Sequence, residues 1–455
     1  MKYSIKELRD KQSKIRYSWG CKFALFCALL WGACYKALGL LISGEGFLQS
    51  GAAYDNPYAA GAAIAAILAI MIAAISVVWV AFSGGLGEVL KTMRLSKRMY
   101  AYSLAMALVG GIAACATYVT AGQLGTFFAV AGVIFYPVVG LFISQRWLRE
   151  KIGVKSKAGM AVILTGCLAL YAPAVVSAPS VGHFLGVLTG ILWGIEGALA
   201  GKVIEIADSD SAVAVRFCFE AALWVIASIT LLIFQPQGAS IMYMKDIISN
   251  PFSMLMLFVI ALCLAFNYLS WYRSFSLIGV FNGLVISNIS GFVVIVLGML
   301  LAIAMPSWLE ITAMLTMLSG VFLVYCAANS GASVLRNVNL AVCQGKSAGG
   351  LPQTALPLKA QTLLLTEQHG PVWDFAVSNM LSGAIPDEKR KLRRQNLART
   401  YMIEASAAGL LVSVDNSVDE GMHFGKGKLL SKYQITEYGY QQLLENKIIA
   451  EASAK

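Results

Sequence analysis

Up to about residue 330 the chain is a series of long apolar runs separated by short polar gaps. A helix needs about 20 apolar residues to cross the hydrocarbon of a bilayer. Ten runs reach that length, at 21–43, 59–83, 99–120, 124–146, 155–178, 181–201, 211–235, 252–275, 279–303 and 307–328. Each is expected to be a transmembrane helix, and the short gaps make sequence neighbours antiparallel neighbours in space. Beyond residue 330 the pattern breaks up. Gln344 to Pro357 reads as linker, and helices are expected near 355–368, 371–380 and 387–408. Gly409 to Val414 reads as a strand, 415–428 as a polar Asp/Gly-rich excursion and Tyr433 to Thr436 as a returning strand. Thr436 is placed to N-cap a final helix.

Composition agrees with this division. Hydrophobic residues make up 58% of the 455 and charged residues only 13%, against roughly 25% in soluble proteins. The mean hydropathy is +0.70. The formal charge of +11 would suit a nucleic-acid partner, but its distribution points elsewhere. Lys2, Lys6, Arg9, Lys11, Lys14 and Arg16 precede the first run, and Lys91, Arg94, Lys97 and Arg98 follow the second. Arg146, Arg149, Lys151, Lys155 and Lys157 follow the fourth; Lys202 and Arg273 continue the series, and the opposite connections hold only Lys245. This positive-inside asymmetry places both termini in the cytoplasm of a bacterial inner-membrane protein and requires an even number of spans. The basic start and first apolar run resemble a signal peptide, but the run is too long and lacks a small-x-small cleavage site, so it is read as a retained helix. The expected fold is an all-α polytopic membrane protein followed by a small α+β cytoplasmic domain. Its segments are 1–20 (basic, cytoplasmic), 21–178 and 181–328 (five helices each), 329–354 (linker) and 355–455 (tail).

Little points to catalysis. Seven of nine cysteines lie inside apolar runs, with no CxxC pair and no Cys/His zinc spacing. His183, His369 and His423 are isolated, and Gly345-Lys346-Ser347 lacks a phosphate-loop glycine because Leu340 stands in its place. No enzyme activity, metal or cofactor is expected.

The two halves of the membrane region echo each other. Leu30-Trp31-Gly32 recurs as Leu192-Trp193-Gly194, and Tyr118, Gly125 and Phe127 recur at the same spacing as Tyr272, Gly279 and Phe281, at offsets of about 160 and 154 residues. A duplicated unit of five helices sits inverted in its second copy. Inverted repeats are characteristic of secondary transporters, with the substrate site near the midplane.

Ten helices in a 5+5 arrangement, the Trp-Gly pair opening each half and Tyr136-Pro137 in the fourth helix resemble the drug/metabolite transporter superfamily, in its EamA-like branch. Trp193-Gly194-Ile195-Glu196, Val215-Arg216, Tyr268 and Tyr272 are similar to the bacterial choline permeases within it. The resemblance covers roughly residues 20–328. It implies a secondary carrier working by alternating access, with choline or another quaternary amine as cargo. Lys36 in the first helix and the long tail depart from that branch; a lysine near a pocket for a cation is unfavourable.

Counting at about 1.5 Å per residue places Trp31, Tyr136, Trp193, Tyr268 and Asn288 in the middle third of the bilayer. Aromatic rings at that depth either pack the core or form a box for a quaternary ammonium, each cation–π contact worth up to about 2 kcal/mol. Charges there are costly and often functional. Glu196 and Arg216 form either a structural ion pair or, with Glu196 as counter-charge or proton site, part of the transport machinery. Glu196 shares a helix face with Trp193. Glu220, four residues beyond Arg216, is an alternative partner that would leave Glu196 free. Lys36 is expected to snorkel outward. Expected partners are membrane lipid, a small solute and a second copy of the chain in a homodimer.

In the tail, the order helix, strand, hairpin, strand and a T-E-x-G-x-x-x-L-L helix from Thr436 resembles a winged-helix domain. Lys389, Arg390, Lys391, Arg393 and Arg394 head a helix, and Lys426 and Lys428 lie on the wing, which suits phosphate contacts with DNA. A tail tethered beneath a membrane, with nearly balanced charge, suits a protein or anionic-lipid contact better. The second class of function is therefore a membrane-anchored sensor or regulator whose tail binds DNA or a protein.

Overall fold

The structure, a computed structural model, describes residues 4–43, 56–133, 135–300, 307–328, 334–343, 347 and 349–450, with the side chains of Ser43, Phe127, Ala131, Ala174 and Ala328 excepted. Lys2, Gly345, Lys346, part of the 329–354 linker and the end of the 279–303 run lie outside the described residues. Helices follow in the order α1 Ile5–Ser43, α2 Pro57–Phe82, α3 Leu86–Arg94, α4 Lys97–Leu124, α5 Thr126–Val133, α6 Tyr136–Arg146 and α7 Val154–Ser177. Then come α8 Val181–Ile206, α9 Ser209–Phe234, α10 Ala239–Ser249, α11 Pro251–Ile278, α12 Val280–Ser287, α13 Ser290–Leu300 and α14 Trp308–Ala328.

Among the described residues, nine helical stretches are long and apolar enough to cross a membrane, α12 and α13 together counting as one. Nine of the ten expected runs thus meet the requirement as helices. The run at 124–146 is instead the shorter pair α5 and α6. Pro137 explains where α6 starts: a proline lacks the N–H that a helix interior needs but is favoured in a first turn, and it occupies that position here. Large apolar side chains such as Phe142, Phe184, Ile226, Ile233 and Phe322 are exposed on the bundle exterior. That would be untenable in water over so wide a surface and is expected against lipid.

Local signals fix the helix starts. Asn56 Oδ1 accepts from Ala59 N at 3.1 Å ahead of Pro57, and Ser96 Oγ accepts from Met99 N at 3.1 Å. Asp208 accepts from Ser211 N at 2.9 Å, and Asn250 from Phe252 N at 3.0 Å. The main helix pairings are α1 with α11, α4 with α8, α7 with α14 and α2 with α9. Small residues permit the tightest of these: a Cβ on Gly159 of α7 would lie 2.7 Å from Gly320 O of α14. Gly125 ends α4 at φ 87°, ψ 162°, and Gly279 ends α11 at φ 88°, ψ 160°. This conformation is essentially reserved for glycine, and in both places a long helix gives way to a pair of short ones. Glu150, in the loop after α6, accepts from Val280 N at 2.7 Å and Phe281 N at 3.0 Å and so caps α12. Burial raises its carboxyl above the usual range, and the Arg336 charge and these two N–H groups oppose that rise.

The tail runs α15 Leu358–His369, β1 Val372–Trp373, α16 Asp374–Ser382, α17 Glu388–Ala407, β2 Leu411–Val418, β3 Leu429–Ile435 and α18 Glu437–Glu445. The three strands form an antiparallel sheet of order β1-β3-β2. Two expectations need correction. The helix expected at 371–380 begins at Asp374, because Val372 and Trp373 pair with Tyr433 and Lys432 as an edge strand. The excursion expected at 415–428 narrows to 419–428, because pairing continues to Val418–Leu429. Within it, Asp419 accepts from the backbone N–H groups of Gly421, Met422, His423, Phe424 and Gly425. Those donors outweigh burial and hold its carboxyl down at about 2. Thr436 caps α18 as expected, accepting from Gly439 N at 3.0 Å.

The stretch expected as a plain linker is tied down at both sides. Lys151 N donates to Leu335 O at 2.8 Å, Leu335 N to Ala407 O at 2.8 Å and Cys343 N to Ile435 O at 3.1 Å. The tail also grips the bundle. Arg336 pairs with Glu205 of α8, Lys359 donates to Ile204 O at 2.7 Å, and Arg98 of α4 pairs with Glu445.

Candidate functional site

Six helices line a narrow cavity in the bundle interior. Trp31 and Tyr35 come from α1, Trp193 from α8, Arg216 and Glu220 from α9, and Tyr268 from α11; α2 contributes aliphatic residues and α4 contributes Tyr118. Trp31 stands at the centre of the aromatic cluster. Its ring lies 4.8 Å from Trp193, 5.7 Å from Trp271, 5.8 Å from Tyr136 and 6.4 Å from Tyr35. Tyr268 packs edge-on to Phe217 at 4.8 Å and to Trp271 at 5.7 Å.

The indole Nε1 of Trp193 is buried and has no hydrogen-bond partner among the described residues. An indole N–H can only donate, and an unpaired buried donor is costly. An acceptor-bearing ligand or a water is the natural complement.

The three expected charges meet in one ion cluster. Arg216 Nε lies 2.9 Å from Glu196 Oε1, and its Nη1 pairs with Glu220 Oε2. Tyr272 donates to Glu196 Oε1 at 3.0 Å. The guanidinium also lies over Phe217 at 3.9 Å and over Tyr268 at 4.7 Å. Both carboxylates hold Arg216, so the partnership with Glu220 does not release Glu196. Only Arg216 and Glu220 line the cavity; Glu196 lies behind the arginine. With all three ionised the cluster carries one carboxylate in excess. Gly110 of α4 makes room for it, since a Cβ there would overlap Arg216 Nη2.

The remaining expected residues divide. Tyr136 touches Trp31 but turns its hydroxyl to Ser287 Oγ at 2.8 Å, a layer behind the cavity wall. Asn288 is elsewhere, on a separate apolar cavity of about 470 Å³ with Val130, Ile163 and Met317. Depth along a helix does not fix the direction around it, and α12 ends just before Asn288. Lys36 does not line the aromatic cavity; its Nζ sits beside Gly298 of α13. Trp271, Tyr35 and the Gly110 gap carry no signal used in the sequence reading, and Tyr118 enters it only through the internal repeat. Tyr35 lies four residues after Trp31 and Trp271 three after Tyr268, so helical spacing from the chosen aromatics would have found both.

In the tail, Lys389, Arg390, Arg393, Lys426 and Lys428 are exposed, while Lys391 and Arg394 are half-buried. Lys391 pairs with Glu388 at 3.2 Å, and Arg394 donates to Leu381 O at 2.9 Å.

The long apolar helices and the cavity define a mainly α-helical, multi-pass membrane protein with a polar–aromatic site in its interior. No protein-family model matches the chain. No curated protein matches it. Among solved structures, eighteen chains match. One, described only as "Crystal structure of protein", is 14% identical and aligns with a TM-score of 0.50 over 69% of this chain and 99% of its own. At that identity the likeness concerns the fold alone.

Proposed function

We propose that the chain is a secondary transporter of the drug/metabolite transporter type, moving a small cationic solute such as choline across the cytoplasmic membrane by alternating access. The observation that carries this reading is the interior cavity that joins Trp31, Trp193 and Tyr268 to a buried ion cluster with one excess carboxylate. Aromatic faces and a net negative charge are the complement of a quaternary ammonium. Glu220 is the carboxylate in contact with the solute, and Glu196 sets the position of Arg216.

The helix pairings support a 5+5 inverted repeat. Exchanging the two sets of five turns the α1–α11 pair into the α8–α4 pair and maps the α7–α14 and α2–α9 pairs onto themselves. The matched conformations of Gly125 and Gly279 follow the same relation. The bundle ends that meet the tail carry Arg98, Lys151 and Lys202, which supports a cytoplasmic tail and N-terminus.

Proteoliposomes are expected to accumulate labelled choline when a potassium diffusion potential makes the interior negative. A single charge gains about 2.3 kcal/mol per 100 mV, or roughly fiftyfold accumulation. Uptake of neither choline nor any other small amine, whatever the potential, would remove this reading.

The tail supports a second role. The succession α15, β1, α16, α17, β2, β3 and the sheet order β1-β3-β2 support a winged-helix reading, with exposed Lys389, Arg390 and Arg393 on α17 and Lys426 and Lys428 on the 419–428 excursion. A salt-sensitive gel shift of a DNA duplex by the full-length protein is the corresponding test; no shift at low salt leaves a protein or lipid contact.

A further inference from the structure

A second cleft opens where the first turns of α1 meet the sheet and α17 of the tail. Three distant parts of the chain line it. Arg9, Ser13 and Arg16 come from α1, Lys151 from the loop before α7, and Ser406 from the end of α17, while Leu411 of β2 belongs to an apolar floor. Arg16 is only 7% exposed. Its Nη1 donates to Leu277 O at 2.7 Å, which fixes the guanidinium against the inner wall.

Among the described residues, no carboxylate lines the cleft. Glu404, whose charge also acts on Arg16, is paired with Lys359 at 2.8 Å, and Asp374 with Arg399 at 3.4 Å. Three cationic side chains line this one cleft, which also offers hydroxyl donors. Two arginines and a lysine in that setting are the donor set of a phosphate site, because guanidinium forks match phosphate oxygens and lysine adds a point charge.

We infer that this cleft binds a phosphate-bearing small anion, its phosphate held by Arg9, Arg16 and Lys151 and its organic body lying on the apolar floor. The site is separate from the aromatic cavity, and it does not depend on what the bundle transports. Two sources carry this chemistry: a soluble phosphorylated metabolite and the headgroup of an anionic phospholipid. The floor belongs to the tail rather than to the membrane spans, which favours the soluble source.

The test uses full-length protein in phosphatidylcholine nanodiscs, titrated calorimetrically with inorganic pyrophosphate. Saturable binding is expected, weakened at least about tenfold in Arg9→Gln/Lys151→Gln. Both positions are exposed, so the double variant should melt like the wild type without ligand. In a second arm the nanodiscs contain phosphatidylglycerol and the melting temperature is read. Stabilisation by phosphatidylglycerol in the wild type but not the variant, without pyrophosphate binding, keeps the phosphate site and makes lipid its source. No response to either anion, or equal responses in wild type and variant, overturns the assignment.

Discussion

Arg216→Ala is expected to destabilise the protein by on the order of 3–5 kcal/mol and to abolish solute binding. The side chain is fully buried and lies between Glu196 and Glu220, which are buried as well. Its removal leaves two carboxylates near each other without a counter-charge, in a place where water cannot replace it. Thermal unfolding in detergent, followed by fluorescence-detected size exclusion, measures the loss. Neutralising all three positions, as Arg216→Ala/Glu196→Gln/Glu220→Gln, should return most of the melting temperature while solute binding stays absent. Gly110→Leu should resemble the single variant, because it pushes a side chain into the space of the guanidinium. An Arg216→Ala protein that melts with the wild type would show that the cluster contributes nothing to stability.

Glu220→Gln and Trp193→Phe should separate affinity from folding. Glu220 lines the cavity, and its amide analogue keeps the shape while removing the excess negative charge. Trp193→Phe keeps an aromatic ring against Trp31 but removes the unpartnered N–H and part of the π face. Each cation–π contact is worth up to about 2 kcal/mol when desolvated, so the loss of one corresponds to roughly thirtyfold in affinity. The expected result is a rise in the choline KM below that limit for Trp193→Phe, which keeps a smaller π face, and a larger one for Glu220→Gln, with normal protein levels in the membrane. Unchanged KM values in both would separate the cavity from solute binding.

The spans were readable because hydrocarbon imposes a minimum apolar length on any crossing helix, and hydropathy measures that directly. The same average passes over a break. The 124–146 run is apolar across the break, so only Tyr136-Pro137 marks its division into α5 and α6. The ion cluster was readable because buried charges are rare in membrane helices and the i,i+4 spacing places Glu220 beside Arg216. Asn288 misled because depth is a one-dimensional coordinate, and a side chain at the right height can face the wrong cavity. The two-residue strand β1 left no periodic signal, since its pairing with Tyr433 and Lys432 spans about sixty residues of sequence. The gap at Gly110 was invisible for a related reason: what it accommodates arrives from α8 and α9.

The first helix is unbroken for 39 residues, about 58 Å at 1.5 Å per residue, nearly twice the ~30 Å thickness of the hydrocarbon. It runs as one rod from the aromatic cluster at Trp31 to the tail sheet. A tilt of about 10° pivoting at Trp31 would sweep Arg9 through roughly 6 Å, and β2 and β3 rest against that end. A solute that reorients the ring of Trp31 thus has a mechanical advantage over the tail. A dye pair placed across α1 and the tail sheet should therefore register each loading event in the membrane as motion outside it.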